Sequence, residues 1–390
     1  MTVQHMASTL APAVTVDVVR DVQGFRALEQ DWRDLHAASP AATPFQSWDW
    51  LFSWWEVYGR RGALRLLTAR DADRLVGVLP LMLDGRHILR LVGTGLSDHL
   101  DALIHPDCAD AVIAAWIPRL LRTQRVHLLD LHEVRPEAAL WPLYRRWPGR
   151  KASQQQSVCA EFDIAPLEEL LAKWSTNTRK AARTAINRTT KNGYRHAHAT
   201  PENIGDLADQ LVAMHVEAWE GRAITPAHLE PEFGRFVHTV CERLALHDAV
   251  ELVYLDAPED AKEPLQLFNL MLVGTQYLGG WLSGYNDALR RRVRITALEN
   301  TQAVEVALRR GVPVMSMLRG LEDGKEIISD RSKVNHRLLL ARRGPAATAT
   351  WLGLLAPVAA KARLRQWEQQ SGTGAQVATF LRTARDRFSR

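Results

Sequence analysis

The chain has little cysteine, no long apolar run and none of the compact signatures that mark several enzyme classes. Its three cysteines, Cys108, Cys159 and Cys241, lie far apart. That spacing fits neither a disulfide framework nor a metal-binding quartet, so they read as reduced, buried thiols. No window reaches the roughly 18 to 20 apolar residues that a membrane span needs. The opening MTVQHMASTLAPAVTVDVV lacks a charged start followed by an apolar core, which argues against secretion and sets a cytoplasmic expectation. There is no GxSxG elbow, no HExxH, no Walker loop and no GxGxxG leading into a helix. Hydrolase, zinc-protease, NTPase and dinucleotide readings lose their main support. Charge of one sign is also missing: 49 Lys and Arg against 44 Asp and Glu leave +5. An excess that small over a chain this long suits an anionic ligand, or weak contact with RNA or anionic lipid, and gives no reason to expect DNA.

What the chain does have is length and a repeated order. At 390 residues with 46% apolar residues, two lobes are the natural expectation. After an opening strand near 15–23, Phe25–Ala37 reads as a helix. Ser47 can cap a second helix whose Trp48, Leu51, Phe52 and Trp55 share one stripe. That aromatic stripe is either core or a platform for stacking sugars. Three strands follow (LRLLTAR, RLVGVLPLML, HILRLVG), then a helix near Ala109–Arg122 and the strand RVHLLDLHEV. A linker with Gln154, Gln155 and Gln156 precedes a basic helix from about Pro166 to Lys191. Two helices then lead into VELVYLD, QLFNLMLV, QYLGGWLSGY, a helix from Thr296 to Arg310, and VPVMSML. The recurrence of strands, helix and strand predicts an internal duplication within an α/β or mixed-sheet α+β class. The expected units are 1–155, 156–342 and a helical tail over 343–390, the tail docking on the second lobe or lying on a membrane surface.

The second-lobe hairpin, with Gly274-Thr275 at its turn, runs through Arg290–Arg294 into a helix. Backbone N–H groups at a helix start, with arginines beside them, form an anion pocket. Arg291, Arg292, Arg294 and Thr296 are its candidates. Asp98 and Asp101 follow a first-lobe strand. A carboxylate there either caps a turn or takes a proton from an attacking amine or hydroxyl. Tyr285 ends the hairpin strand and is a packed tyrosine or the acid for a leaving thiolate. Lys325 is a surface lysine or an oxyanion ligand. His196 and His198 have no third ligand in view, so no metal is expected. Exposed charge on the basic helix is a solvated face or a track for acidic glycan or RNA.

Nearly the whole chain, from about Phe25 to Leu340, resembles GNAT-type acyltransferases of the cellulose-biosynthesis branch, which are similar to Fem-type peptidoglycan aminoacyl transferases. In the first lobe this rests on Phe45-Gln46-Ser47-Trp48, LVGVLPLML and Gly93–Ile104. In the second it rests on Thr178–Arg183, His215–Trp219, the hairpin ending at Tyr285, and Arg319-Gly320 with Lys325. The resemblance implies tandem GNAT-like lobes, acetyl-CoA or another acyl-CoA as co-substrate, and a small-molecule or glycan acceptor between the lobes. Surface polysaccharide biosynthesis would be the setting, with its synthesis proteins as partners. Asp98 is then the expected base and Tyr285 the acid, with Lys325 beside them; Asp101, Arg179, Trp219 and Arg319 line the acceptor side. Where the family carries a Ser-Pro-Gly-like turn this chain has Val293-Arg294-Ile295; either the bulk of Arg294 and Ile295 obstructs backbone approach to the donor pyrophosphate, or the arginine replaces those contacts. The alternatives are an aminoacyl-tRNA-dependent transferase and a non-catalytic scaffold for a polysaccharide synthase.

Overall fold

The computed structural model describes residues 14–85, 87–219, 226–259, 264, 266–319 and 329–355. The first lobe opens with β1 (Val14–Val19), α1 (Val22–Ala27), α2 (Glu29–Ala37) and α3 (Trp48–Tyr58). It continues through β2 (Leu64–Asp71), β3 (Arg74–Asp84), β4 (Ile88–Leu91), β5 (Leu103–Ile104), α4 (Ala109–Arg122), β6 (Leu128–Val134) and α5 (Trp141–Arg146). Next come β7 (Arg150–Asp163), α6 (Leu167–Lys173), α7 (Thr176–Lys191), β8 (Arg195–His198), α8 (Ile204–Trp219) and α9 (Pro231–Ala245). The second-lobe meander is β9 (Val250–Asp256), β10 (Leu267–Val273) and β11 (Leu278–Tyr285), followed by α10 (Asp287–Arg290), α11 (Ile295–Arg310), β12 (Val314–Arg319) and β13 (Arg331–Ala341).

The expected caps are in place. The Ser47 hydroxyl accepts from the Trp50 amide at 3.2 Å, and Gly311 ends α11 at φ 66°, a conformation glycine adopts without penalty. Two expectations are corrected. The 154–156 glutamines are not a linker but the middle of β7, where Gln155 and Gln154 pair with His336 and Arg337 of a later strand. The basic helix is broken at Trp174-Ser175, where the Ser175 hydroxyl caps α7 by accepting from the Thr178 amide at 3.3 Å.

All these strands form one sheet, in the order β1-β2-β3-β4-β6-β13-β7-β12-β11-β10-β9-β8, with β5 on β3. Parallel pairing occurs twice, and each time it is brief: Ile88 and Leu89 face Leu128 and Leu129, and Leu278 and Gly279 face Met315 and Ser316. Beyond those pairs the strands part. The same meander, helix and parted parallel strand thus occurs once in each lobe, which makes the architecture a duplication. β13 returns from the second lobe to lie between β6 and β7. It is fixed there by Arg337, which donates to Asp130 at 2.6 and 2.9 Å. Burial would raise the Asp130 carboxyl, but His132 and Arg337 pull it well below the usual carboxylate range.

The aromatic stripe on α3 is core. Trp48, Trp50, Trp54 and Trp55 are buried, and Trp50 meets Phe236 of α9 and Trp281 of β11 edge-on at 5.1 and 4.8 Å. One apolar cluster therefore runs from the first lobe into the second. Chain after Gly344 enters a helix over 345–355. It docks through Trp351, Leu354 and Leu355 on Leu128, Leu339 and Ala341, not on the second lobe, because β13 delivers it to the first-lobe side. The rest of the expected tail lies outside the described residues. His196 Nδ1 and His198 Nδ1 lie within hydrogen-bond distance of the Glu305 and Glu251 carboxylates, at 2.8 and 3.2 Å.

Candidate functional site

The site begins with an irregularity in β11. Leu270 faces Leu282 and Met271 faces Gly280, which leaves Trp281 unpaired as a bulge. At Gly280 a Cβ would lie 2.9 Å from Met315 Cε, so glycine lets β12 approach closely just before the two strands separate. Past Gly279 and Ser316 their facing edges have no ladder partner in each other. An open edge of this kind can pair with an extended ligand as a further strand would.

α11 starts beside this gap. Its N-cap is Arg294, which makes no side-chain cap bond, while the Ala297 and Leu298 amides turn back to the Arg294 carbonyl. Amides at the very start of such a helix point outward and suit an anion. Arg291, Arg292 and Arg294 are exposed around this helix start, and Thr296 is half-buried in its first turn. Arg290 is held by Asp287 at 2.8 Å. Arg188 of α7 donates to the Arg292 carbonyl and adds a cation that spacing alone did not reveal. Arg179 is not part of this group. α7 runs antiparallel to α11, with Ala185 against Leu298 and Ala182 beside Ala303. Arg179 therefore sits about 13 Å further along the axis, at the other end of the helix pair. Tyr285 packs among Ala185, Tyr194, Leu289 and Ile295, next to the helix start.

A second group of polar side chains faces the gap from the first lobe. The loop after β4 turns through Gly93 and Gly95 at φ 93° and 105°. It is held from α3's side: Trp50 Nε1 donates to Ser97 Oγ at 2.8 Å, and Gln46 Nε2 donates to the His99 carbonyl at 2.8 Å. This places Asp98 against the end of β12. Asp98 is 7% exposed and accepts from the Arg319 amide at 3.2 Å and from the Arg319 guanidinium. Arg319 also lies 3.7 Å from Glu133, and Asn335 of β13 donates to Glu133 and to the Asp98 carbonyl at 2.9 and 2.8 Å. Burial would lower the Arg319 guanidinium, but Asp98 and Glu133 raise it. Glu133 and Leu318, near the ends of β6 and β12, both have φ 53°, a conformation that costs non-glycine residues about 1–3 kcal/mol. The two residues occupy matching places near the strand ends of the two lobes.

Asp101 is not beside Asp98 in function. Its two oxygens accept from the backbone amides of Ala102, Ala139 and Leu140 at 2.8, 2.6 and 3.0 Å, so it braces the first lobe and has no oxygen turned to an acceptor. Burial raises it to about 7 against those three bonds. Trp219 ends α8, one turn after His215. Lys325 and Gly320 lie outside the described residues.

A histidine pair was missed. His215 shares a bond with the Ser283 carbonyl through Nδ1 at 2.8 Å and with His228 through Nε2 at 3.1 Å. His228 stacks on Phe233 at 4.2 Å. Burial first, then the charges of His215 and Arg319, lower it to about 4, so the ring is neutral near pH 7. Thirteen positions separate the two histidines, so no spacing rule could have found the pair.

Residues 176–326 match the model of the acetyltransferase (GNAT) domain, a span that covers α7 through β12. FemX has a similar fold, with a TM-score of 0.56 at 10% identity over 80% of this chain and 95% of that one. So does a conserved protein of unknown function from Bacteroides thetaiotaomicron VPI-5482, at 0.54 and 12% over 84% of this chain and 100% of the other. The C-terminal domain of a putative lysylphosphatidylglycerol synthetase from Agrobacterium fabrum gives 0.52 and 11% over 85% and 96%. Identities this low establish shared fold only. No curated protein matches the sequence. The acetyltransferase (GNAT) domain match thus falls on the second lobe, and the likeness in fold extends over both lobes.

Proposed function

We infer that the protein transfers an acetyl or similar acyl group from its coenzyme A thioester to an amino or hydroxyl group of a sugar-containing acceptor, in the cytoplasm, during surface polysaccharide biosynthesis. The observation that carries the donor side is the gap between β11 and β12, opening at the Trp281 bulge and ending at the uncapped, arginine-rich start of α11. The strand edges suit the extended arm of the thioester; the helix start with Arg291, Arg292, Arg294 and Thr296 suits its pyrophosphate.

In the reaction the acceptor nitrogen or oxygen attacks the thioester carbonyl. The new C–N or C–O bond forms, the C–S bond breaks, the acceptor loses a proton and the thiolate gains one. His215 donates through Nδ1 to the Ser283 carbonyl and is hydrogen-bonded through Nε2 to His228, whose neutral ring is the candidate to take the acceptor proton. Asp98 is clamped by Arg319 and takes that role only if the clamp opens. Tyr285 remains the candidate acid. No helix among the described residues is long and apolar enough to cross a membrane.

Calorimetry with acetyl-CoA tests the donor site. Binding is expected, weakened by about tenfold or more in Arg292→Ala plus Arg294→Ala. Absence of binding at millimolar ligand, or unchanged affinity in the double variant, overturns it. The fold shared with FemX, together with the exposed cations of α7, favours aminoacyl-tRNA as a second reading. A gel shift with charged tRNA that weakens steeply with salt would select it. If an Asp98→Asn, Tyr285→Phe, His228→Gln variant still rescues a gene deletion, the protein acts as a scaffold instead.

A further inference from the structure

The first lobe contains a cavity of about 790 Å³ that the acyl-transfer site does not use. Arg20, Arg65, His87, Arg119, Arg122 and Arg125 line it, and among the described residues no carboxylate does. They come from the end of β1, from β2, from the β3–β4 turn, and from the last turn of α4 with the loop after it. Sequence gives no hint of them as a group. Folding collects them.

Three facts make the cavity more than a basic patch. First, its five arginines equal the net excess of the whole chain, 49 minus 44, so charge elsewhere nearly cancels. Second, these arginines make no ion pair among the described residues. Burial and then the nearby Arg20 lower the Arg65 guanidinium, as expected where like charges share one concave space. Third, Arg65 Nη1 donates to the Gly62 and Leu64 carbonyls at 2.8 and 2.6 Å, while carbonyls of the loop after α4 are taken by groups outside the cavity lining or by His87. Arg342 donates to Thr123 and Val126 at 2.8 and 3.2 Å, and His87 Nδ1 lies 2.6 Å from the Arg125 carbonyl. Arg125 itself has φ 62°, a left-handed conformation unusual for a side chain of its size. The His87 ring stacks on His127 at 4.1 Å, and His127 in turn meets Thr350 of the helix over 345–355 at 2.9 Å. The loop is therefore held from outside, and the Arg125 side chain lines the cavity.

We propose that this first-lobe cavity binds a small soluble anion bearing two or more phosphate groups. Forked guanidinium donors arriving from several elements suit the many oxygens of an oligophosphate better than a single carboxylate. The volume lies in the range of small-ligand sites. The site is separate from acyl transfer: it sits where β4 and β6 begin, whereas Asp98, Glu133 and Arg319 sit where they end. A strand the length of β6 spans roughly 20 Å.

Calorimetry with inorganic pyrophosphate and tripolyphosphate tests the proposal on the full chain, with Arg119→Gln plus Arg122→Gln as one variant and Arg65→Gln as another. Circular dichroism confirms folding. Binding is expected for the native chain, tighter for tripolyphosphate, weaker by about tenfold or more in each folded variant, and weaker again as salt rises. Acetyl-CoA binding should be unchanged in both, which separates this site from the donor site. A parallel arm uses vesicles of 30% phosphatidylglycerol in phosphatidylcholine. No pyrophosphate binding at 5 mM, unchanged affinity in both variants, or association with vesicles alone would each overturn the proposal.

Discussion

At the scale of single residues, the junction rests on an ion pair that crosses the lobes, with Asp98 buried and the Arg319 side chain 31% exposed. Removing the guanidinium leaves Asp98 with the Arg319 amide as a partner, so the cost is about 1–3 kcal/mol, below that of breaking a fully buried pair. Arg319→Ala should therefore lower the urea midpoint. Adding Asp98→Asn should recover part of the loss, and a double-mutant cycle reads the coupling directly. His228 gives a pH signature. Its folded value of about 4 lies below the ordinary value of 6.5, so the unfolded chain binds the extra proton between them. Its contribution to stability is complete above pH 6.5 and is lost as pH falls toward 4. His228→Gln should flatten the stability curve in that window, measured by denaturation at several pH values. Asp98 and Arg319 could both be singled out from the sequence because each ends a recognisable strand or loop. That they bond to each other could not, since 221 positions separate them.

Secondary structure was the more legible level. Caps at Ser47 and Gly311, the two meanders and the arginine-rich helix start all follow from local patterns, because caps and alternation are properties of neighbouring residues. The bulge at Trp281 and the parting of β11 from β12 do not, because register depends on the partner strand. One glycine joins these levels. At Gly284 a Cβ would lie 2.6 Å from the Leu211 carbonyl and 3.0 Å from the His215 amide, both backbone atoms of α8. Gly284→Ala should force α8 off β11, lowering the melting temperature. It should also lower kcat more than an equally destabilising change far from the site, because His215 moves with the helix.

For the whole molecule, the two-lobed order was visible as repetition, but the sharing between lobes was not. A single sheet and one aromatic cluster through Trp50, Phe236 and Trp281 tie the lobes together. Unfolding should be a single transition, with tryptophan fluorescence and circular dichroism superimposing. Trp50→Ala should cost about 3–5 kcal/mol and lower stability throughout rather than split the transition. Two separated transitions would mean that the lobes stand alone.

The placement of β13 also bears on how the protein comes into being. A nascent chain that has left the ribosome as far as Arg146 holds every helix of the first lobe, yet β6 still presents a bare edge. Nothing made before Arg331 can fill it. Synthesis must therefore finish nearly the whole second lobe before the first is sealed, and for that interval an unpaired strand is open to other chains. Fragments cut between the lobes would keep that exposed edge permanently, so the two halves are better studied as one chain than as separate pieces.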